Sequence, residues 1–253
     1  MPRVDTVLQG FTVGTDQGLL GFCTVTLIRG SRNILVDAAQ VGRRQVLLQR
    51  LSALGVSPND IDVVFLTHAH WDHILNMDVF PNAEFLIHPA EREYAKHPHE
   101  HDWATPKYTS LILESYRLRE VKENDEIDDG VRVIDTPGHT PGSMSLLVHT
   151  PDGQAALCGD TMHNSWSAVS GLPRLVFWDI DKAKASIRKI LDRAEVIYPG
   201  HDRPFRLVAG RVHYVERTGI KIFGMPLSGE GEGPHGITYG LEPPLDTMAF
   251  LPE

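Results

Sequence analysis

The run His68-Ala69-His70-Trp71-Asp72-His73 constrains this chain more than any other stretch of its length. It follows directly on the apolar residues Val63-Val64-Phe65-Leu66, within a run at 61–66 that reads as a buried strand. Neutral imidazole and carboxylate are good ligands for a borderline divalent cation such as zinc. In an extended segment alternate side chains share a side, so His68 and His70 can converge on one ion. Asp72 and His73 fall where the chain must turn, and they can face a second ion. With 13 histidines in 253 residues, three His and one Asp in this pattern arise by chance roughly once in several hundred such chains. A polar loop with surface histidines is the competing reading, and ligands further along decide between the two.

Three more candidates occur in similar settings. His139 lies in Asp135-Thr136-Pro137-Gly138-His139-Thr140-Pro141-Gly142, after the strand-like stretch 131–134. Asp160 lies in Cys158-Gly159-Asp160-Thr161, after the strand-like stretch 154–157, and His201 in Tyr198-Pro199-Gly200-His201-Asp202, after Val196-Ile197. Each follows a short apolar run and a Gly or Pro-Gly turn, which places it on a loop at a strand end where the backbone approaches something closely. A lone His after a turn is more often a surface residue, and Gly-Asp is an ordinary turn pair. Four such sites in one chain argue jointly for a metal centre.

The intervening sequence alternates between strand and helix patterns. Residues 24–29 and 33–36 read as a hairpin around Gly30-Ser31. Residues 41–54 read as a helix with Val46, Leu47, Leu51 and Leu54 on one face and Gly55 as its stop. A short helix is expected at 74–79, a strand at 84–87 and a helix at 89–95. Strands follow at 131–134, 143–150 and, past the turn Pro151-Asp152-Gly153, at 154–157. Residues 181–194 read as a helix with Ala185, Ile187, Ile190 and Leu191 toward the core and Asp181 as N-cap, and 196–198 is the closing strand.

The series His68-x-His70-x-Asp72-His73, His139, Asp160, His201 resembles the metallo-β-lactamase-fold hydrolases, in the branch with glyoxalase II, the N-acyl-homoserine lactonases and the RNase Z-type nucleases. Ile34-Leu35-Val36-Asp37 looks like the family's strand ending in Asp. The resemblance spans about residues 20–205. It implies an α+β fold, an αββα sandwich of two mixed β-sheets with helices on the outer faces, formed by one domain over residues 1–253. It further implies a dinuclear site. His68, His70 and His139 would hold one metal and Asp72, His73 and His201 the other, with Asp160 bridging and Asp37 orienting a ligand from behind. Zinc is the first expectation for both ions, with iron or manganese as alternatives. A true β-lactamase is disfavoured, because those enzymes usually lack the Asp-His pair and use a Cys in place of Asp160. Local phrases, Val7-Leu8-Gln9-Gly10-Phe11 and Pro199-Gly200-His201-Asp202-Arg203-Pro204-Phe205-Arg206 among them, resemble the metallo-β-lactamase-domain-containing endoribonuclease-like branch.

Composition bounds the partners. Hydrophobic content of 42% and charged content of 23% are those of a soluble globular protein. No apolar run approaches the roughly 18 residues of a membrane span, and Met1-Pro2-Arg3-Val4-Asp5 opens no signal peptide. Cys23 and Cys158 both sit in apolar strand-like segments, so buried free thiols and a cytoplasmic setting are expected. The net charge of −9 and dispersed basic residues argue against a nucleic-acid partner and for a small-molecule substrate.

Two metals sharing a water would supply hydroxide to an ester, thioester, lactone or phosphodiester. Asp72 and Asp160 are the catalytic carboxylates of this scheme. His163 is the candidate proton donor to the leaving group; the lactonase relatives carry a Tyr at about this point. The first expectation is therefore a small-molecule ester, thioester or lactone hydrolase. A phosphodiesterase or endoribonuclease is the alternative, and a non-catalytic metal or redox scaffold, as in the flavodiiron proteins with their attached flavin domain, is the third. Residues 96–120 interrupt the sheet pattern as an insert. Its start, His97-Pro98-His99-Glu100-His101-Asp102-Trp103, reads as a solvated loop, followed by a helix at 108–118. Trp103 and Tyr108 are candidate cleft-lining residues. From about residue 207 the composition is loop-like, an extension suited to wrapping the body or to meeting a second copy in a homodimer.

Overall fold

The structure is a computed structural model that describes residues 1–16, 18–216, 219–224 and 235–239. The first half of the chain lays down β1 (Arg3–Leu8), a hairpin of β2 (Phe11–Thr15) and β3 (Gly18–Phe22), then β4 (Val25–Arg29), β5 (Asn33–Val36), β6 (Val63–Phe65), β7 (Glu84–Ile87) and β8 (Leu118–Glu120). All but the β2–β3 hairpin, which pairs only with itself, form a six-stranded sheet in the order β1-β4-β5-β6-β7-β8. The second sheet takes β9 (Glu126–Asp128), β10 (Val131–Asp135), β11 (Met144–Thr150), β12 (Gly153–Leu157), β13 (Val196–Tyr198), β14 (Phe205–Val208) and β15 (Arg211–Tyr214) in the order β15-β14-β13-β12-β11-β10-β9. A further pair, β16 (Ile220–Gly224) and β17 (His235–Tyr239), is antiparallel. The extension from 207 therefore begins as ordered strand rather than loop. Its Gly229–Pro234 stretch and its Pro-rich end lie outside the described residues.

Both sheets are mixed. β4 and β5 form the expected antiparallel hairpin, with Arg29 opposite Asn33, whereas β5, β6, β7 and β8 run parallel. In the second sheet only β12 and β13 are parallel. Parallel neighbours need crossovers. These carry α1 (Arg44–Ala53), α2 (Trp71–Ile74), α3 (Pro89–Tyr94), α4 (Thr109–Glu114), α5 (Ser165–Ser170) and α6 (Ile180–Leu191). The direction of the strands has a consequence for chemistry. β5 and β6 end at one rim; β10, β12 and β13, which share a direction, end at the matching rim of the other sheet.

The period of two along a strand sorts the core. Ile34 and Val36 of β5, and Val63 and Phe65 of β6, enter the core between the sheets, where they meet Val131, Val133, Leu146, Val148, Ala155 and Leu157. Leu35, Val64 and Leu66 face the other way, onto Leu47 and Leu51 of α1. Ile134 and Ala156 face Ile187 and Ile190 of α6 on the far side. Strands buried on both faces read as unbroken apolar runs, which is why 61–66 carried no alternation. The result is the four-layer αββα arrangement.

Several local expectations are corrected. Val46 is 46% exposed, because it sits about 100° around the helix from Leu47 while Leu51 and Leu54 continue the buried stripe. In α6 the inward positions are Ala183, Ser186, Ile187 and Ile190, and Ala185 is exposed. The cap of α6 is Asp179, whose side chain accepts from the N–H groups of Asp181 and Lys182; Asp181 is already inside the first turn. The helix expected at 74–79 is split into α2 and a separate turn at Met77–Val79. Between them the Asn76 side chain donates to the carbonyls of Ala38 and Gln40. The helix expected at 108–118 ends at Glu114, since Leu118 is taken as the edge strand opposite Phe85. No described helix is long and apolar enough to cross a membrane. Cys23 and Cys158 are buried and unpaired, as expected.

Capping by Asp179 is testable by denaturant unfolding. Asp179→Ala should cost about 1 kcal/mol, whereas Asp181→Ala should change stability by no more than about 0.5 kcal/mol. The reverse ranking would return the cap to Asp181.

Candidate metal centre

The strand directions bring the ligand-bearing loops to one rim, and backbone contacts lock them there. Met144 N–H donates to the Thr67 carbonyl (3.0 Å), a bond between the two sheets beside His68. His201 N–H donates to the carbonyl of His163 (2.7 Å), and Gly200 N–H to that of Met162. A Cβ on Gly200 would stand 2.1 Å from Asp160 Oδ1, so only glycine lets this turn lie against the carboxylate. The loop before His139 is held by α6. Ser186 Oγ donates to the Pro137 carbonyl (2.7 Å), and a Cβ on Gly138, which has a φ of 140°, would collide with the backbone of Ala183.

All seven candidate ligands are buried and face one another. One group able to hold an ion combines His68, His70, His139 and Asp160, and another Asp72, His73 and His201; within each group the ligand atoms lie within 4.8 Å of one another. Asp160 stands between the groups. Its Oδ2 is 3.6 Å from His139 Nε2, while its Oδ1 is 3.5 Å from His73 Nε2 and 3.2 Å from His201 Nε2. Asp72 Oδ2 is 3.5 Å from His201 Nε2.

Each of the five imidazoles has its other ring nitrogen engaged by an acceptor. His68 Nδ1 meets Thr67 Oγ1 (3.0 Å), and His73 Nδ1 meets Asp37 Oδ2 (2.7 Å). His139 Nδ1 meets the Leu175 carbonyl (3.0 Å), His201 Nδ1 the Phe11 carbonyl (3.3 Å), and His70 Nε2 meets Asp102 Oδ2 (3.3 Å). With those N–H groups donating outward, the lone pairs of His68, His73, His139 and His201 Nε2 and of His70 Nδ1 point to the centre. His68 Nε2, His73 Nε2 and Asp160 Oδ1 have no hydrogen-bond partner although buried. Orphaned buried polar atoms of this kind are costly, and imidazoles fixed from behind are the usual setting of metal ligands. The residues therefore fit a pair of divalent ions.

Asp37 lies behind the candidate ligands, against His73 and Thr67. It has a φ of 62°, and its carboxylate also accepts from the N–H (2.8 Å) and hydroxyl (2.9 Å) of Thr67. It thus orients His73 and, through Thr67, His68. The electrostatics divide the imidazoles. Burial and neighbouring imidazoles push His68 well below the ordinary histidine range; burial and His70 push His139 down to about 3; burial and His201 lower His163. For His73 and His201 burial is outweighed by carboxylates, Asp37 and Asp72 on the first and Asp160 and Asp72 on the second, and both are raised. Burial of Asp160 is likewise outweighed, by His201 and His73, which hold it well below the usual carboxylate range.

A cleft leads to this centre. Thr12, Leu19 and Gly21 of the β2–β3 hairpin form one wall; Trp71, Trp103, Leu175 and Phe177 form much of the other; His70, Asp72, Asp160, His163 and His201 lie at its base. Trp103 packs edge-on against Phe177, with ring centroids 5.9 Å apart. Tyr108 is 54% exposed and stands outside the lining, which corrects that expectation. His163 does reach the centre. It stacks on His201 at 4.3 Å, its Nδ1 is 3.4 Å from Asp160 Oδ2, and its Nε2 is 3.2 Å from Thr12 Oγ1.

Two acidic residues central to the site carried no distinguishing sequence signal. Glu91 reads as an ordinary first-turn acid of a helix. In the fold it is fully buried and accepts from Ala69 N–H (2.9 Å), Thr140 Oγ1 (2.6 Å) and Gly142 N–H (3.1 Å), stapling the His68–His73 loop to the His139 loop. Asp102 belongs to the tract expected to be a solvated loop, yet its side chain is 0% exposed. Exposed histidines at 99 and 101 masked it.

The metallo-β-lactamase superfamily model matches residues 18–201, and the chain belongs to that superfamily of hydrolases. Metallo-beta-lactamase domain-containing protein 1 of Xenopus laevis is 34% identical over 208 residues, covering 81% of this chain and 82% of the frog protein. An N-acyl homoserine lactonase from a Bacillus species is 28% identical over 157 residues, with 60% of each chain covered. Among solved structures, the dizinc quorum-quenching lactonase AidC, in complex with a product N-hexanoyl-L-homoserine, superposes with a TM-score of 0.62 at 21% identity, covering 79% of this chain and 81% of its own. That likeness is one of fold.

Stability of the metal-free protein should peak near neutral pH. His68, His139 and His163 have folded pKa values below the ordinary value of about 6.5, so their contribution is full above that pH and is lost on acidification. His73 and His201 have raised folded values; their contribution is full below about 6.5 and is lost as pH rises through those values. Thermal unfolding of chelator-treated protein between about pH 5 and pH 9 should show both flanks. A melting temperature that climbs steadily from about pH 7 to pH 5 would contradict the buried, neutral state of the first three.

Proposed function

We propose that this chain is a hydrolase working with two divalent ions, and that its substrate is an uncharged ester, thioester or lactone with an apolar acyl part. One ion is assigned to His68, His70 and His139, the other to Asp72, His73 and His201, with Asp160 shared. The observation that carries the substrate class is the cleft wall. It presents Leu19, Trp71, Trp103, Leu175 and Phe177, and among the described lining residues there is no lysine or arginine. A phosphodiester polyanion calls for basic side chains along its path, so the endoribonuclease reading draws no support here.

When bound by these residues, two divalent ions would supply hydroxide near neutral pH and would polarise the substrate carbonyl. The chain's own residues do the remainder. Asp72, with one oxygen toward His201 and the other toward His73, can accept a hydrogen bond from the nucleophile. The aromatic wall holds the acyl part and excludes water from it. His163 faces the cleft, with Nδ1 3.4 Å from Asp160 Oδ2 and Nε2 3.2 Å from Thr12 Oγ1; its neutral imidazole can take up the proton released when water becomes the nucleophile and return it to the leaving oxygen. The donor set suits zinc, with iron or manganese as alternatives.

Metal analysis of the purified protein should find two ions per chain. A parallel screen of homoserine lactones of increasing acyl length, aryl esters, S-lactoylglutathione and single-stranded RNA should find turnover among the first two classes; selective cleavage of S-lactoylglutathione, which is anionic, or of RNA would overturn the assignment. Asp160→Ala should abolish turnover while the circular dichroism spectrum is retained. Trp103→Ala should raise KM for long acyl chains several-fold with a smaller change in kcat.

A further inference from the structure

The two ligand sets are supported from behind by different acids. Asp37 orients His73 directly and His68 only through Thr67. His70 is the exception among the imidazoles: it turns Nδ1, not Nε2, to the centre, where it stands 3.0 Å from His139 Nε2. That reversal depends on what holds its Nε2, and the partner is Asp102 of the insert.

Asp102 is itself held rigidly. Oδ1 accepts from Ala104 N–H (2.9 Å) and Thr105 N–H (3.1 Å). Oδ2 accepts from Tyr94 OH (2.8 Å) and Thr105 Oγ1 (2.8 Å) and meets His70 Nε2 at 3.3 Å. All of its partners on Oδ2 are donors, so this oxygen can only accept from the imidazole. The proton of His70 is thereby kept on Nε2 and its lone pair on Nδ1.

We infer that Asp102 is a positioning residue that sets the metal affinity of the His68/His70/His139 site and leaves that of the Asp72/His73/His201 site alone. This rests on the dinuclear reading above. In Asp102→Asn, Oδ1 keeps its two backbone donors, but the amide places a second donor against His70 Nε2–H. The imidazole then relieves the clash by moving its proton to Nδ1, which removes the ligand lone pair. Loss of an outer partner of a ligating His typically weakens metal binding 10–100-fold.

The test is a titration of metal-free protein with cobalt(II) alone, followed by its visible absorption, with bound zinc counted in parallel. The wild type should show two binding events. Asp102→Asn should keep one of them within about threefold and weaken the other about 10–100-fold, with the melting temperature of the metal-free form nearly unchanged. Tyr94→Phe, which removes a different donor from Oδ2 and leaves the His70 contact, should keep both. Asp102→Ser, whose hydroxyl can still cap the 104–105 turn, should repeat the one-site loss and serves if the Asn variant does not fold. A wild type that binds fewer than two ions would defeat the dinuclear reading. Two events in the wild type with both, or neither, weakened by the Asp102 variants would overturn the role of Asp102, as would an equal loss in Tyr94→Phe.

Discussion

The interaction on which the rest depends is the outward hydrogen bond of each central imidazole. Five buried rings, with Asp72 and Asp160, converge on one centre. Left to rotate, they would satisfy one another and collapse the site. Thr67, Asp37, Asp102 and the carbonyls of Leu175 and Phe11 prevent this, each taking the N–H that would otherwise turn inward. The unsatisfied nitrogens and the Asp160 oxygen are then a standing energetic penalty in the metal-free chain, and it is the packed sandwich around them that holds the arrangement open.

Packing supplies that rigidity in layers. The inter-sheet core around Phe65, Val133 and Leu157 fixes the distance between the rims. The Thr67–Met144 backbone bond fixes their register, and Glu91 ties the first ligand loop to the third. The β2–β3 hairpin joins this frame at the cleft. Its strands pair only with each other, and its contacts with the base of the cleft run through Thr12 to His163 and Phe11 to His201. The candidate metal ligands thus sit at strand ends, while the cleft wall is drawn from the hairpin, the insert and the loop of Leu175 and Phe177. That division accounts for a superfamily whose members share a centre and differ in what they hydrolyse.

The seven candidate positions that the fold brings together were legible in the sequence because they lie just past apolar, strand-like runs, and that signal is local. The inner strands were legible for the same reason, since apolar runs such as 63–66 need no knowledge of their neighbours. Two of the supporting residues were not. Glu91 and Asp102 sit in segments whose local pattern reads as surface, and they are buried only because a distant loop lies over them. The errors in helix detail follow the same rule. Val46 and Ala185 are apolar but lie on the side of their helices that no sheet covers, and residues beyond Glu114 leave the helical path because β7 offers an unpaired edge.

The sequence by itself determined the kinds of ligand, their order and the strand ends that carry them, because residue chemistry and short-range periodicity are properties of the chain. Only the tertiary structure decided which nitrogen of each imidazole faces inward, which acid stands behind it and what lines the cleft. Those depend on groups far apart in sequence, such as His201 with Phe11 and His70 with Asp102, that meet only when the two sheets close on one another.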